Sequence, residues 1–263
     1  MRSSDNIIYL DCFSGISGDM FLGALIGAGL SQSLLVDELN RLDLEPYDFT
    51  VTPTNVQSIA AYSVTVESSS RQRFKNLADI TDILHRSDLD KTIVQKSLKV
   101  FQCLAEAEAG VHGKPVNEIH FHEVGALDTI IDVVGVVTGL RLLGIKKVYC
   151  SPLPLGRGFV QCAHGNLPLP APAVCNLLQH VPVYGVDEPR ELVTPTGAAL
   201  VATLVDQFGN IPPMVPGTTG YGAGDLPGSD DRPNLLRLIT GHQEIVDEAQ
   251  QIEVIETNLD DWN

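Results

Sequence analysis

The chain has 263 residues, with 17 Lys and Arg against 33 Asp and Glu, a formal net charge of −16. That charge leaves no broad basic face, which excludes nucleic-acid binding through clustered phosphate contacts. The apolar fraction of 44 % and charged fraction of 19 % belong to a folded globular protein, and no apolar run reaches the roughly 18 residues of a membrane span.

The N-terminal MRSSDN lacks a signal-peptide core, and residues 1–6 read as a disordered tail. The five cysteines, Cys12, Cys103, Cys150, Cys162 and Cys175, form no CxxC pair. Free thiols and a cytoplasmic location are therefore expected. "NIIYLDCFSGISGDMFLGALIGAGL" reads as strand, turn and helix. The strand runs Ile7 to Leu10, Gly15 and Gly18 shape the turn, and the helix stops near Gly29. Asp11 ends the apolar strand, a place where ligand sites form. Asp19 opens the helix either as an N-cap or beside a bound anion, with Ser14, Gly15 and Gly18 as the anion's cradle. No P-loop lysine and no GxGxxG follows.

Residues 34–42 predict a short helix, and the alternating, β-branched stretch 48–67 predicts a hairpin. "SSSRQRFKN" is a polar loop. "LADITDILHRS" and "LDKTIVQKSLKVFQCLAEAEAGVHG" follow with helical period.

"EIHFHEVGALDTIIDVVG", residues 118–135, is the densest group of metal-type side chains. Taken as extended, "IHFH" puts His120 and His122 on one face, roughly 7 Å apart, with Glu123 at the turn. Gly125 breaks the strand and a helix begins near Ala126. Asp128 and Asp132, four apart, share one face of a helix that is otherwise apolar nearly all round. A buried carboxylate needs a partner, so a metal site built from His120, His122, Glu123, Asp128 and Asp132 is expected. The plainer reading makes Asp128 a first-turn acid favoured by the helix dipole. The spacing is not HExxH, and no cysteine-rich zinc set is present.

"KKVYC" is a strand, followed by proline-rich loops around a hairpin. In "LGRGF" Arg157 stands between glycines, where its guanidinium is able to grip a phosphate or carboxylate. His164 in "CAHGN" is a turn histidine or a ligand. Thr194, Thr196 and Gly197 in "TPTGAAL" start another helix and serve as cap or as phosphate contact. "GTTGYGAGD", residues 217–225, reads as a flexible loop, either an anion cradle with Gly222 and Gly224 or a plain hairpin loop. Nucleophilic serine catalysis has no GxSxG elbow to support it. The carboxylates expected to do chemistry are Asp11, Asp19 and Asp132. The fold class expected is mixed α/β: one globular domain over 7–241 with strand–turn–helix units and glycine- and proline-rich site loops, then an acidic C-terminal strand and junction over 242–263.

"YLDCFSGISGDMFLGAL", "HFHEVGALDTIIDVVG", "SPLPLGRGFVQCAHG", "LPLPAPA", "ELVTPTGAAL" and "GYGAGD", in this order, closely resemble the nickel-insertion proteins of nickel-pincer cofactor synthesis. The resemblance runs from about Ile7 to Asp261. It implies insertion of nickel into pyridinium-3,5-bisthiocarboxylic acid mononucleotide, giving the cofactor of lactate racemase. It also implies use of CTP with Mn(2+) or Mg(2+), and a lyase-class chelatase. Family chains continue past a motif like "ETNLDD" into a C-terminal nucleotide-binding domain, so a C-terminal partner half is expected, and homo-oligomerisation is left open. The loop before "LADI" carries histidines in relatives but reads "SRQRFKN" here, so no nickel role passes to it. A non-catalytic nickel-delivery module is the competing reading, and an unrelated metal-dependent hydrolase the third.

Overall fold

Strand β1 (Ser4–Asp11) starts inside the stretch expected to be a disordered tail. The reason is its partner: β11 (Leu235–Glu244) runs antiparallel to it along its whole length, with Ser4 opposite Glu244 and Asp11 opposite Arg237. The computed structural model describes residues 4–68, 74–121, 126–162, 165–225, 228 and 232–244. The strand expected in the acidic tail lies outside them.

The remaining strands are β2 (Asp48–Val56), β3 (Ile59–Glu67), β4 (Lys147–Cys150), β5 (Leu153–Leu155), β6 (Gly158–Cys162), β7 (Gly165–Leu169), β8 (Val183–Gly185), β9 (Gln207–Phe208) and β10 (Val215–Ala223). The helices are α1 (Gly18–Gly27), α2 (Gln32–Leu39), α3 (Leu77–Arg86), α4 (Lys91–His112), α5 (Leu127–Leu142), α6 (Pro172–Leu177) and α7 (Pro195–Leu204). Among the described residues, seven strands form one mixed sheet in the order β2-β3-β10-β11-β1-β4-β9. β5–β8 and β6–β7 make two small ribbons beside it. The expected hairpin over 48–67 is β2–β3, turning at Gln57 and Ser58, both with positive φ.

Alternation along β1 sends Ile8 and Leu10 into the main core and Ile7 and Tyr9 to the opposite face, beside Tyr149. Helix α1 is apolar all round because it lies between sheet and helices. It packs on β3 and β10 on one side and on α5 on the other. The α1–α5 crossing is close because Gly135 and Gly139 of α5 take Leu22 and Leu25 of α1 against bare backbone. The all-round burial of α5 follows the sequence pattern, with Asp128 and Asp132 as the interruptions on its N-terminal half. The result is one α/β domain.

The stretch 217–225 differs from the expected flexible loop. Most of it is strand β10, because its glycines answer a packing need. A Cβ on Gly222 would run into the Met20 carbonyl of α1, and Gly23 of α1 rests against Tyr62 and Gly222. Gly222→Ala should therefore force α1 off the sheet and cost about 1–3 kcal/mol in a urea unfolding curve. An unchanged midpoint would mean that the helix–sheet contact is looser than described.

Candidate metal and substrate site

The site grows from the turn after β1. Gly15 donates its N–H to the Cys12 carbonyl at 2.9 Å and sits at φ +94, with no room for a Cβ beside the Leu192 carbonyl. Ile16 N–H donates to Leu192 O at 2.9 Å, and Thr194 N–H donates to Ile16 O at 3.2 Å. This short parallel bridge sets the starts of α1 and α7 side by side, and Gly197 has no Cβ where the Ile16 carbonyl passes. Thr194 caps α7 by accepting the Gly197 N–H at 3.1 Å. Of the two readings open for it, capping is the one its hydroxyl performs. Thr196 lies half-buried in the first turn of α7.

Helix α5 completes the group. Its Asp132 carboxylate lies against Gly18, the first residue of α1, where any side chain would collide with it. Protein encloses Asp132 on most sides, although part of its surface stays open. Burial pushes its carboxyl well above the usual 3.8, and the negative charges of Asp19, Asp128 and Asp225 push it further. Asp19 is also raised, chiefly by burial and then by Asp225. The Ser17 hydroxyl and the Met20 N–H hold it down in part. Ser17 is the N-cap of α1, yet its hydroxyl donates to Asp19 rather than capping the helix. Asp128 is exposed, and its Oδ1 accepts the Thr129 N–H at 2.6 Å, the first-turn role open to it from the sequence.

Three helix-borne acids and Asp225, just past β10, thus share one electrostatic field. Among the described residues, no three His, Cys, Asp or Glu side chains form a closed metal site. The donor chemistry nonetheless suits a hard dication, because Asp132 and Asp19, whose proton affinity is raised by burial and by neighbouring carboxylates, gain most from a positive charge beside them. Asp225 was missed as a candidate. Its signal was its place at the end of the glycine-rich "GYGAGD" stretch.

Other candidates lie elsewhere. Asp11 is bound by Arg237, which donates through Nε at 3.0 Å and through Nη2, and which stacks over Phe13 at 5.9 Å. Its charge is not among those that shift Asp132. Ser14 is fully buried and donates to the Pro233 carbonyl at 2.6 Å, while Arg232 donates to the Phe13 carbonyl at 2.8 Å. These two bonds fasten segment 232–233 to the turn, and no local pattern marks Arg232 for that role. Arg157 is at the surface, paired with Asp187, which raises its pKa. Gly222 meets the α1 backbone where a phosphate would need open amides, and Gly224 meets Asn234 and Met20. Ile119 and Phe121 are buried with His120 exposed between them, the alternation of an extended chain. That segment is held by Phe121 N–H donating to Lys75 O at 2.8 Å and Ile119 N–H donating to Val116 O at 3.2 Å, and no described strand pairs with it. His122, Glu123 and His164 lie outside the described residues.

The family model described as "Nickel insertion protein" matches residues 8–263. A protein of Desulfotalea psychrophila, provisionally named a nickel insertion protein, is 52 % identical over 98 % of this chain and 66 % of its own length. A protein of Desulfitobacterium hafniense named pyridinium-3,5-bisthiocarboxylic acid mononucleotide nickel insertion protein is 46 % identical over 97 % of this chain and 64 % of its own length. The chain thus spans just under two thirds of the length of these relatives. No solved structure matches it.

Proposed function

Because this chain belongs to the nickel insertion protein family, we propose that it takes part in inserting nickel into pyridinium-3,5-bisthiocarboxylic acid mononucleotide, the substrate in its relative's name. The observation that carries this reading is the gathering of Asp19, Asp128, Asp132 and Asp225 where α1 and α5 begin, beside the start of α7. Nickel is the cargo. The substrate's own sulfurs supply soft donors that the carboxylates lack. Mn(2+) or Mg(2+), held by Asp19 and Asp132, would supply positive charge for phosphate oxygens. The positive ends of α1 and α7, set side by side by the Ile16–Val193 bridge, favour an anion next to it.

The reaction drawn on is CTP-dependent chelation by a lyase-class enzyme, feeding the cofactor of lactate racemase. We assign the CTP site largely to sequence beyond residue 263, in keeping with the greater length of the relatives. A cytoplasmic setting belongs to the same reading, and the described thiols Cys12, Cys103, Cys150 and Cys175 are free. No described helix is long and apolar enough to cross a membrane. The second reading, a nickel-binding delivery module without catalysis, is favoured by one observation: the chain spans just under two thirds of the length of these relatives. Homo-oligomerisation bears on neither reading.

The histidine limb tests the nickel role. Replacing His120 and His122 together by alanine should lower the nickel retained per chain, measured by elemental analysis after gel filtration, with the melting temperature unchanged. His120 is exposed, so its loss leaves the core untouched. Equal nickel retention would remove this pair from the nickel path.

A further inference from the structure

Cys12 follows β1, and Cys150 ends its parallel neighbour β4. Their sulfurs lie 3.6 Å apart, and both residues are fully buried in the main core. We infer that Cys12 and Cys150 form a redox switch: hydrogen peroxide closes them into a disulfide, and the closure displaces the start of α1. The switch goes beyond the proposed function, and only its effect on nickel insertion rests on that reading.

Three observations carry it. The first is proximity. The sulfurs need to close by about 1.5 Å to reach the roughly 2.05 Å of a disulfide. The backbones beside them are already tied: Ser151 N–H donates to Leu10 O at 2.9 Å, and Cys12 N–H donates to the Ser151 hydroxyl at 2.9 Å. The second is burial. It pushes the Cys12 thiol well above its usual pKa, with Cys150 and Asp11 adding to the shift, so the resting pair stays reduced. Peroxide, little larger than water, enters through local opening of the turn. One sulfur takes a hydroxyl as the O–O bond breaks, becoming a sulfenic acid, and a water leaves. The other sulfur, already in contact, displaces that hydroxyl as a second water and forms the S–S bond. The two thiols lose two electrons and two protons, and one peroxide becomes two waters. The third is position. Cys12 opens the turn that leads to the carboxylates, and its carbonyl accepts the Gly15 N–H at 2.9 Å. Gly15 is packed against the Leu192 carbonyl, and Ile16 N–H donates to the same oxygen at 2.9 Å. The turn therefore has no slack, and a pull on Cys12 passes to Gly18, which rests against Asp132.

The test uses the full chain carrying Cys103→Ala, Cys162→Ala and Cys175→Ala, which leaves Cys12 and Cys150 as its thiols. The chain is treated with hydrogen peroxide and then with dithiothreitol. Peroxide should lower the intact mass by two hydrogens, remove both thiols titratable after denaturation, and change hydrogen exchange at residues 14–20. Dithiothreitol should reverse all three. Cys150→Ala in the same background should show neither the mass loss nor the change in exchange. If the triple replacement disturbs folding, peptide mapping of the oxidised wild type reads the link between Cys12 and Cys150 directly. Nickel insertion, with the C-terminal polypeptide of a relative added, should fall at least about tenfold on oxidation and recover on reduction, because a 1 Å misplacement in a site costs about 10²-fold. Oxygen gained on sulfur with no link between Cys12 and Cys150 would overturn the switch. So would a link that leaves exchange at residues 14–20, or a working insertion, unaltered. No insertion by the reduced wild type sinks the proposed function, while a reversible link that alters exchange keeps the switch.

Discussion

Asp132→Asn should raise the melting temperature of the metal-free chain at pH 7 and remove most of its response to Mn(2+). Asp132 stands against Gly18 with three other carboxylates acting on it, so its ionised form is held at a cost. Its folded pKa lies above the ordinary 3.8. Its contribution to stability is therefore full below pH 3.8 and is lost as pH rises towards the folded value. Asparagine keeps the shape and drops the charge, and a domain of this size gains about 2–4 °C for each kcal/mol relieved. The wild type should melt progressively lower from pH 4 upward, and Asp132→Asn should flatten that slope. Added Mn(2+) should restore the wild type, because a bound dication stabilises only the folded chain, and leave the variant unmoved. A variant that melts lower than the wild type at pH 7 without metal would mean that the Asp132 charge has a structural partner, and the metal assignment would fall.

Residues 1–263 alone should release no pyrophosphate from CTP above background, and adding the C-terminal polypeptide of a relative should restore release. The argument is electrostatic. The chain carries a net charge of −16, and its site gathers acids. The cations expected or found near the turn are committed: Arg157 to Asp187 at the surface, Arg237 to Asp11, Arg232 to the Phe13 carbonyl. A triphosphate needs cations or several open amides, and the glycine-rich strand that looked like a cradle is packed on α1. Pyrophosphate release by this chain alone, measured with a coupled phosphate assay, would place a full nucleotide site within it.

The parts legible in the sequence were those written in local pattern. The strand–turn–helix opening, the β2–β3 hairpin, the α5 helix with Asp128 and Asp132 on one side, and the α7 start all followed from periodicity and turn residues. The parts that were not legible depend on distant partners. β10 reads as a loop because its glycines answer a helix that lies 190 and more residues earlier in the chain. The pairing of Asp11 is not legible because Arg237, which faces it from β11, is 226 residues away. Arg157 was placed in a site by its flanking glycines, although Asp187 holds it at the surface. Asp225 takes its place only because β10 carries the chain to the start of α1.

The most direct measurement is the nickel content of the mononucleotide itself. Chain and C-terminal polypeptide are incubated with Ni(2+), Mn(2+), CTP and pyridinium-3,5-bisthiocarboxylic acid mononucleotide, and the small-molecule fraction is weighed by mass spectrometry. If Asp132 and Asp19 are the metal-handling carboxylates, the wild type should convert the mononucleotide to its nickel form, and Asp132→Asn, folded and at least as stable, should leave it metal-free. Conversion by Asp132→Asn at the wild-type rate would contradict the account.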